Sequence, residues 1–319
     1  MDREEASKLH SEVWNAVTGP ALRRLVQPLR EPRGAVPDDL LHFTTAARFV
    51  SILKDGILRL SRARASKDPM ELRYGLDLGR AILDGFSGQE LDEPYRESVR
   101  AAFEGRLLDG TDFPVPDPHI CCFATAGSES GIPHWALYGR SGAGLVLVLD
   151  GKALCASKLD LVPVIYDIDQ QKRVLTDALE LGRKTARQAY DFSLKYGREA
   201  AKRSCLVAGH AFGATTSLLA ATMKRPSFEF EHEWRLLAGY VPEGDPEPDA
   251  SINFGVEAVG PILRSYFQVR FPPEALKAVV VGSSHSDLNV PVVKAMLKEY
   301  RYKSAEIRLG EIALRSFPS

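Results

Sequence analysis

The sequence predicts an α+β fold with a mixed β-sheet core and added helices. Three observations carry this. Short apolar runs with strand character recur along the chain, at Leu40–Thr44, Ile57–Ser61, His119–Ala124, Gly144–Asp150, Leu161–Tyr166 and Ala278–Gly282. Helical segments fall between them irregularly, which disfavours a doubly wound parallel sheet. Residues 168–222 read as two long helices, split near Tyr196-Gly197.

Each element has its own signal. Residues 3–29 place Leu9, Val13, Trp14, Val17, Leu22 and Leu25 on one side, and Gly19-Pro20 interrupts them, so two short helices are expected. Residues 31–39 read as a linker, which makes 1–36 an N-terminal helical extension and 37–319 one α+β domain with a helical insertion at 168–222. After the strand at Leu40–Thr44, Thr44 or Thr45 is placed to cap a helix carrying Phe49, Ile52 and Leu53, and Gly56 ends it. A helix is expected from about 70 to 86 and another around 92–108. The run Gly144–Asp150 is the clearest buried strand, and Gly142-Ala143-Gly144 lets the chain turn tightly into it. Pro163 lacks an amide proton, so its strand belongs near a sheet edge. Phe228–Tyr240 alternates like a strand, and a helix at about 290–300 and a last strand in Ala305–Ile312 close the chain.

Composition narrows the class. Of 319 residues, 45% are apolar and 26% charged, ordinary for a soluble globular protein. The 41 Lys and Arg against 42 Asp and Glu give a net charge of −1, which argues against a broadly basic nucleic-acid-binding surface. The four cysteines, Cys121, Cys122, Cys155 and Cys205, include no CxxC pair and are expected to be free thiols in a reducing cytoplasm. The first residues are charged where a signal peptide is apolar, and no run of about 18 apolar residues exists to span a membrane. A cytoplasmic location and no membrane partner are therefore expected.

P-loop, GxSxG, HExxH and helix-opening GxGxxG signatures are missing. Chemistry is left to scattered polar residues. On a strand, Glu231 and Glu233 would project to one side, and two like carboxylates about 7 Å apart raise each other's pKa. The bland alternative is a solvated strand face, but Phe228, Phe230, Trp234 and Arg235 flank them and put the segment at the core's edge. His42 and Thr44 share a strand face and offer two hydrogen-bonding groups, or are simply satisfied structural residues. Asp68 and Glu71 stand on a turn before a helix, where the alternatives are a cap or a pocket rim. Trp135 and Tyr138 share a helix face, to fill core or to stack on a flat ring.

The order of these motifs resembles a known bacterial family. His42-Phe43-Thr44, Lys67-Asp68-Pro69-Met70-Glu71, Cys122-Phe123-Ala124, Trp135-Ala136-Leu137-Tyr138-Gly139 and Phe228 through Glu231-His232-Glu233-Trp234-Arg235 are similar to the pattern of domain of unknown function 2971, from about residue 40 onward. Phe43 stands where that pattern has Tyr, so no phenol is available there. The opening His-x-Thr and the later Glu-x-Glu also resemble the ADP-ribosyltransferase fold. That resemblance implies an ADP-ribosyltransferase-like enzyme using NAD, in phage defence or a toxin system. Glu233 would stabilise the developing ribosyl cation and Glu231 would orient an acceptor, either protein or nucleic acid. His42, Thr44, Asp68, Glu71, Trp135, Tyr138 and Arg235 would hold the dinucleotide. A non-catalytic nucleotide-sensing module is the alternative, as is a hydrolase or nuclease with Asp68, Glu71, Glu231 and Glu233 around a divalent metal.

Overall fold

The computed structural model describes residues 3–30, 35–65, 70–88, 90–106, 118–126, 132–139, 142–155, 159–238, 252–259 and 262–310. Its centre is a ten-stranded sheet, and the branch point of that sheet positions the polar residues that matter.

Strand β3 (His119–Thr125) is that branch point. Its first residues pair with β2 (Ile57–Arg62) and its last with β1 (Asp39–Thr44), while β6 (Trp234–Ala238) runs antiparallel along His119 to Phe123. Beyond β1 lie β4 (Leu145–Asp150), β9 (Leu276–Val281) and β10 (Glu306–Leu309). Beyond β2 lie β8 (Ile262–Arg270) and β7 (Ile252–Val259). Among the described strands β9 and β10 alone pair in parallel, so the sheet is mixed, as the irregular alternation predicted. β5 (Asp160–Pro163) pairs with β6 alone, the edge position that Pro163 requires. In β4, Leu145 to Leu149 are all buried. Each such side chain is worth about 1.5–3 kcal/mol of burial.

The local signals translate directly where they are covalent or short-range. Helix α3 (Ala46–Asp55) starts with the Thr45 side chain accepting from the Arg48 amide and ends at Gly56, whose φ of 63° is left-handed. Gly144 is needed for close packing: a Cβ there would lie 2.8 Å from the Thr44 carbonyl oxygen.

At the N-terminus the expected break is replaced by a widened turn. α1 (Arg3–Val13) and α2 (Gly19–Arg30) are joined through a π-turn, Trp14–Thr18, with the Gly19 amide donating to the Trp14 carbonyl. Pro20 has no proton for the Ala16 carbonyl, and the turn ahead of it widens instead of stopping.

Short helices α6 (Ile132–Leu137) and α7 (Gly151–Cys155) precede and follow β4, and the two sheet faces carry different layers. One face packs Leu40, Cys121, Phe123, Trp234 and Leu236 under α3 and α10 (Ser286–Glu299). The other packs Ile120 and Leu237 under α4 (Met70–Asp84), α5 (Asp92–Glu104), α8 (Ile168–Ser193) and α9 (Arg198–Ala220). The long helical pair divides at Gly197, with φ of 99°. Adjacent Cys121 and Cys122 point into opposite layers, and all four cysteines are thiols outside any disulfide among the described residues. No helix among the described residues is long and apolar enough to cross a membrane.

Candidate functional site

Four charged side chains meet under the start of β6: Lys224, Glu231, Glu233 and Arg235. All are buried, at 7%, 3%, 6% and 0% exposure. Two carboxylates and two cations leave the group formally neutral, which is the condition for burying it at all.

The backbone that builds it is not the continuous strand expected from Phe228–Tyr240. Pro226–Glu231 is a 3₁₀ turn and strand pairing begins only at Trp234. Between them His232 is left-handed, with φ 42° and ψ 48°. A non-glycine residue there costs roughly 1–2 kcal/mol. The reversal turns Glu231 and Glu233 inward together and leaves His232 exposed. Phe230, expected inside, is 44% exposed, while Trp234 is buried as expected.

Lys224 holds the carboxylates together. Its Nζ donates to Glu231 Oε2 and, at 2.8 Å, to Glu233 Oε2. The turn that aims it is pinned by its amide donating to the Ile165 carbonyl at 3.2 Å. Gln171, fully buried on α8, donates to both the Ile165 and Lys224 carbonyls at 2.6 and 2.7 Å and accepts from Tyr74 Oη at 2.8 Å. Arg235 forks onto Glu233, Nε to Oε1 at 2.8 Å and Nη2 to Oε2 at 3.1 Å, and its Nη1 donates to the Ala221 carbonyl. Tyr138 Oη donates to Glu231 Oε1 at 2.7 Å, and Tyr166 Oη accepts from the Glu233 amide at 3.1 Å.

This arrangement reverses the expected electrostatics. Burial pushes the Glu233 carboxyl up, but Arg235's charge and hydrogen bonds, the Lys224 charge and the Cys122 thiol together outweigh it and hold it at about 2. The Lys224 ammonium beside Glu233 offsets the like-charge repulsion that would have raised it. Burial pushes the Tyr138 and Tyr166 phenols up, so both remain hydrogen-bonding hydroxyls at ordinary pH.

The remaining predicted residues divide. Glu231, Glu233, Arg235 and Tyr138 come together. His42 and Thr44 do not join them. Register puts His42 on the face of Phe123 and Trp234, because paired antiparallel residues point the same way, while Cys122 and Arg235 take the opposite face. The His42 ring lies 5.7 Å from Phe123, and its Nδ1 is 3.1 Å from the Cys122 carbonyl and 3.8 Å from Cys121 Sγ. Burial lowers its pKa and keeps it neutral. Thr44 is buried with its hydroxyl unpartnered among the described residues. Trp135, at 1% exposure, is core: it packs with Leu41, Val146, Val148 and Val280, edge-on to Phe43 at 5.5 Å, and has no open face for a nicotinamide. Asp68 and the Glu71 side chain lie outside the described residues. Among the described residues no group of three His, Cys, Asp or Glu is arranged to hold a metal, and between Glu231 and Glu233 the Lys224 ammonium takes a cation's place.

Lys224, Gln171, Tyr74 and Tyr166 were not singled out from the sequence. The only sequence signal was the Lys224-Arg225 pair after an apolar helix end. Above the cluster the surface is aromatic. Phe228 and Phe230 are 6.3 Å apart, His134 lies 6.4 Å from both Phe230 and Tyr138, and Arg225 sits 5.2 Å over Phe228.

Residues 134–236 match the family model described as Protein of unknown function (DUF2971). This segment, running from His134 to Leu236, therefore carries the DUF2971 signature that the motif order resembled, and it contains every charged member of the cluster. The earlier motifs at His42 and Asp68 fall outside it. No curated protein and no solved structure matches the chain.

Proposed function

We propose that the chain is a nucleotide-binding module, with the buried ions as scaffold and the aromatic surface above them as the binding face. The observation that carries this is the grouping of Tyr138, Phe228 and Phe230 beside exposed Arg225. Tyr138 and Phe230 are each 44% exposed, and Phe228 is partly exposed. Flat rings that keep an open face stack on bases, and a guanidinium beside them pairs with phosphate. The Lys224–Glu231–Glu233–Arg235 cluster fixes the backbone carrying Phe228, Phe230 and Tyr138, which fits a binding role. Titrating NAD, ADP-ribose and ATP by calorimetry tests it. Phe230→Ala and Arg225→Ala should each weaken binding by about tenfold, in line with roughly 1–3 kcal/mol for one stacked base. Absence of binding by the intact chain would remove the proposal.

ADP-ribosyl transfer is the second reading, favoured by one observation. Glu233 stays ionised above about pH 2, the state needed to face a ribosyl cation. In that reading the nicotinamide–ribose bond breaks, nicotinamide leaves with the bonding pair, and Glu231 orients the acceptor. Lys224 would have to swing off Glu233 to admit substrate, and His42 and Thr44 would take no part. Nicotinamide release from NAD separates the two readings: the binding module gives none.

A further inference from the structure

We infer that a groove between α10 and β10, lined by none of the cluster residues, docks an extended acidic segment of a partner protein. The groove has a volume of about 870 Å³, and its floor includes Val290, Leu297, Tyr302, Ile307 and Leu309. Leu309 is 62% exposed although it lies on a strand. Lys294, Lys298 and Lys303 stand on the groove wall, all exposed, against one carboxylate, Asp287. None of the three lysines has an ion-pair partner among the described residues.

Three features select the occupant. First, β10 ends the strand order, so among the described residues its outer edge is unpaired. Such an edge offers amide and carbonyl groups that an added strand takes up and a hydrocarbon chain does not. Second, Lys294 and Lys298 are one helical turn apart, about 6 Å along the axis. Alternate residues of an extended strand repeat at about 6.8 Å, so acidic side chains two apart meet both lysines while the residues between them enter the apolar floor. Third, a second copy of this chain would bring the same lysines face to face, because a twofold interface pairs a patch with itself. Charge therefore points away from self-association and toward a carboxylate-bearing segment.

The test is selection of a random octapeptide display library on the full chain, followed by fluorescence anisotropy with the enriched peptides. Enrichment of alternating apolar and acidic sequences is expected, with binding weakened about tenfold or more by Lys294→Glu combined with Lys298→Glu and eroded by added salt. Both lysines are exposed, so the double variant should melt with the parent. Enriched peptides without acidic residues, or equal binding to the double variant, would overturn the proposal. So would no enrichment at all. Occupancy by decanoate without peptide binding, or a dimer in sedimentation that the double variant abolishes, would overturn it in favour of an acyl ligand or a second copy.

Discussion

His42 and Glu233 are separated by a single strand, β3, and they look into opposite halves of the molecule. His42 packs among Phe123 and Cys121 in the layer under α3 and α10. Glu233 enters the layer on the other side, where the turn after α9 supplies Lys224 and the Ala221 carbonyl. His42 is half-buried and Glu233 buried, and the two are kept by different means. His42 is made tolerable by losing its charge, and Glu233 by keeping its charge and acquiring two cations. A buried neutral imidazole needs one or two hydrogen bonds; a buried carboxylate needs a neutralised, fully bonded cluster. The difference shows why a histidine and a glutamate in a suggestive order do not by themselves make a common site. Which face each side chain takes is decided by strand register, and one residue of slip inverts it.

The comparison breaks most severely at Arg235. Arg235→Met keeps much of the volume and removes the guanidinium, leaving Glu233 to share Lys224 with Glu231. Removing one partner of a buried ion pair costs about 3–5 kcal/mol. Thermal or urea unfolding should register that loss. The double change Glu233→Gln with Arg235→Met should recover part of it, since no net charge is then stranded on that side. If Arg235→Met unfolds like the parent, the cluster is not the scaffold described above.

Glu233→Gln is the next largest. It strands Arg235, so it should destabilise by roughly 3 kcal/mol rather than leave the fold intact. Any loss of NAD turnover in it must therefore be measured on protein shown to be folded. Its pH dependence is the sharper readout. The folded carboxyl sits at about 2 against an ordinary 4.5. A lowered folded value stabilises above the unfolded pKa, and that stability is lost as pH falls from about 4.5 toward 2. Unfolding free energy should fall across this window in the parent and much less in Glu233→Gln. Parallel curves would contradict the pairing with Arg235 and Lys224.

What the sequence made legible follows the same line. Gly56, Gly197 and Pro163 act through their own backbone and Thr45 through a side chain bonded three residues along, and each does in the structure what its chemistry requires. The apolar run of β4 could only be interior. Glu231, Glu233 and Arg235 were legible as a group because they are close in sequence. Their geometry was not, since a 3₁₀ turn ending at a left-handed His232 stands where strand was expected before Trp234. Lys224 and Gln171 were invisible for a different reason: they reach the cluster only because α8 and the turn after α9 meet at Ile165. Trp135 read as core filler or as a stacking platform, and the packing of Val146, Val148 and Val280 around it decides for core.

The smallest expected effect sharpens the comparison from the other side. Burial lowers the His42 pKa, so the folded protein holds the neutral ring while the unfolded chain takes up a proton in the usual histidine range near 6.5. The folded value is depressed, so stability is full above that range and declines as pH falls below it. This window opens at a higher pH than the one set by Glu233. His42→Gln keeps a donor for the Cys122 carbonyl and cannot protonate, so it should flatten the decline that begins near pH 6.5 and leave the lower step unchanged. The substitution itself should cost about 1 kcal/mol, the scale of one hydrogen bond and a modest packing change. Because His42 faces away from Tyr138, Phe228 and Phe230, nucleotide affinity measured by calorimetry should match the parent within about twofold. A large loss of affinity in folded His42→Gln would mean that β1 contributes to the binding face after all, and the division between the two layers would have to be redrawn.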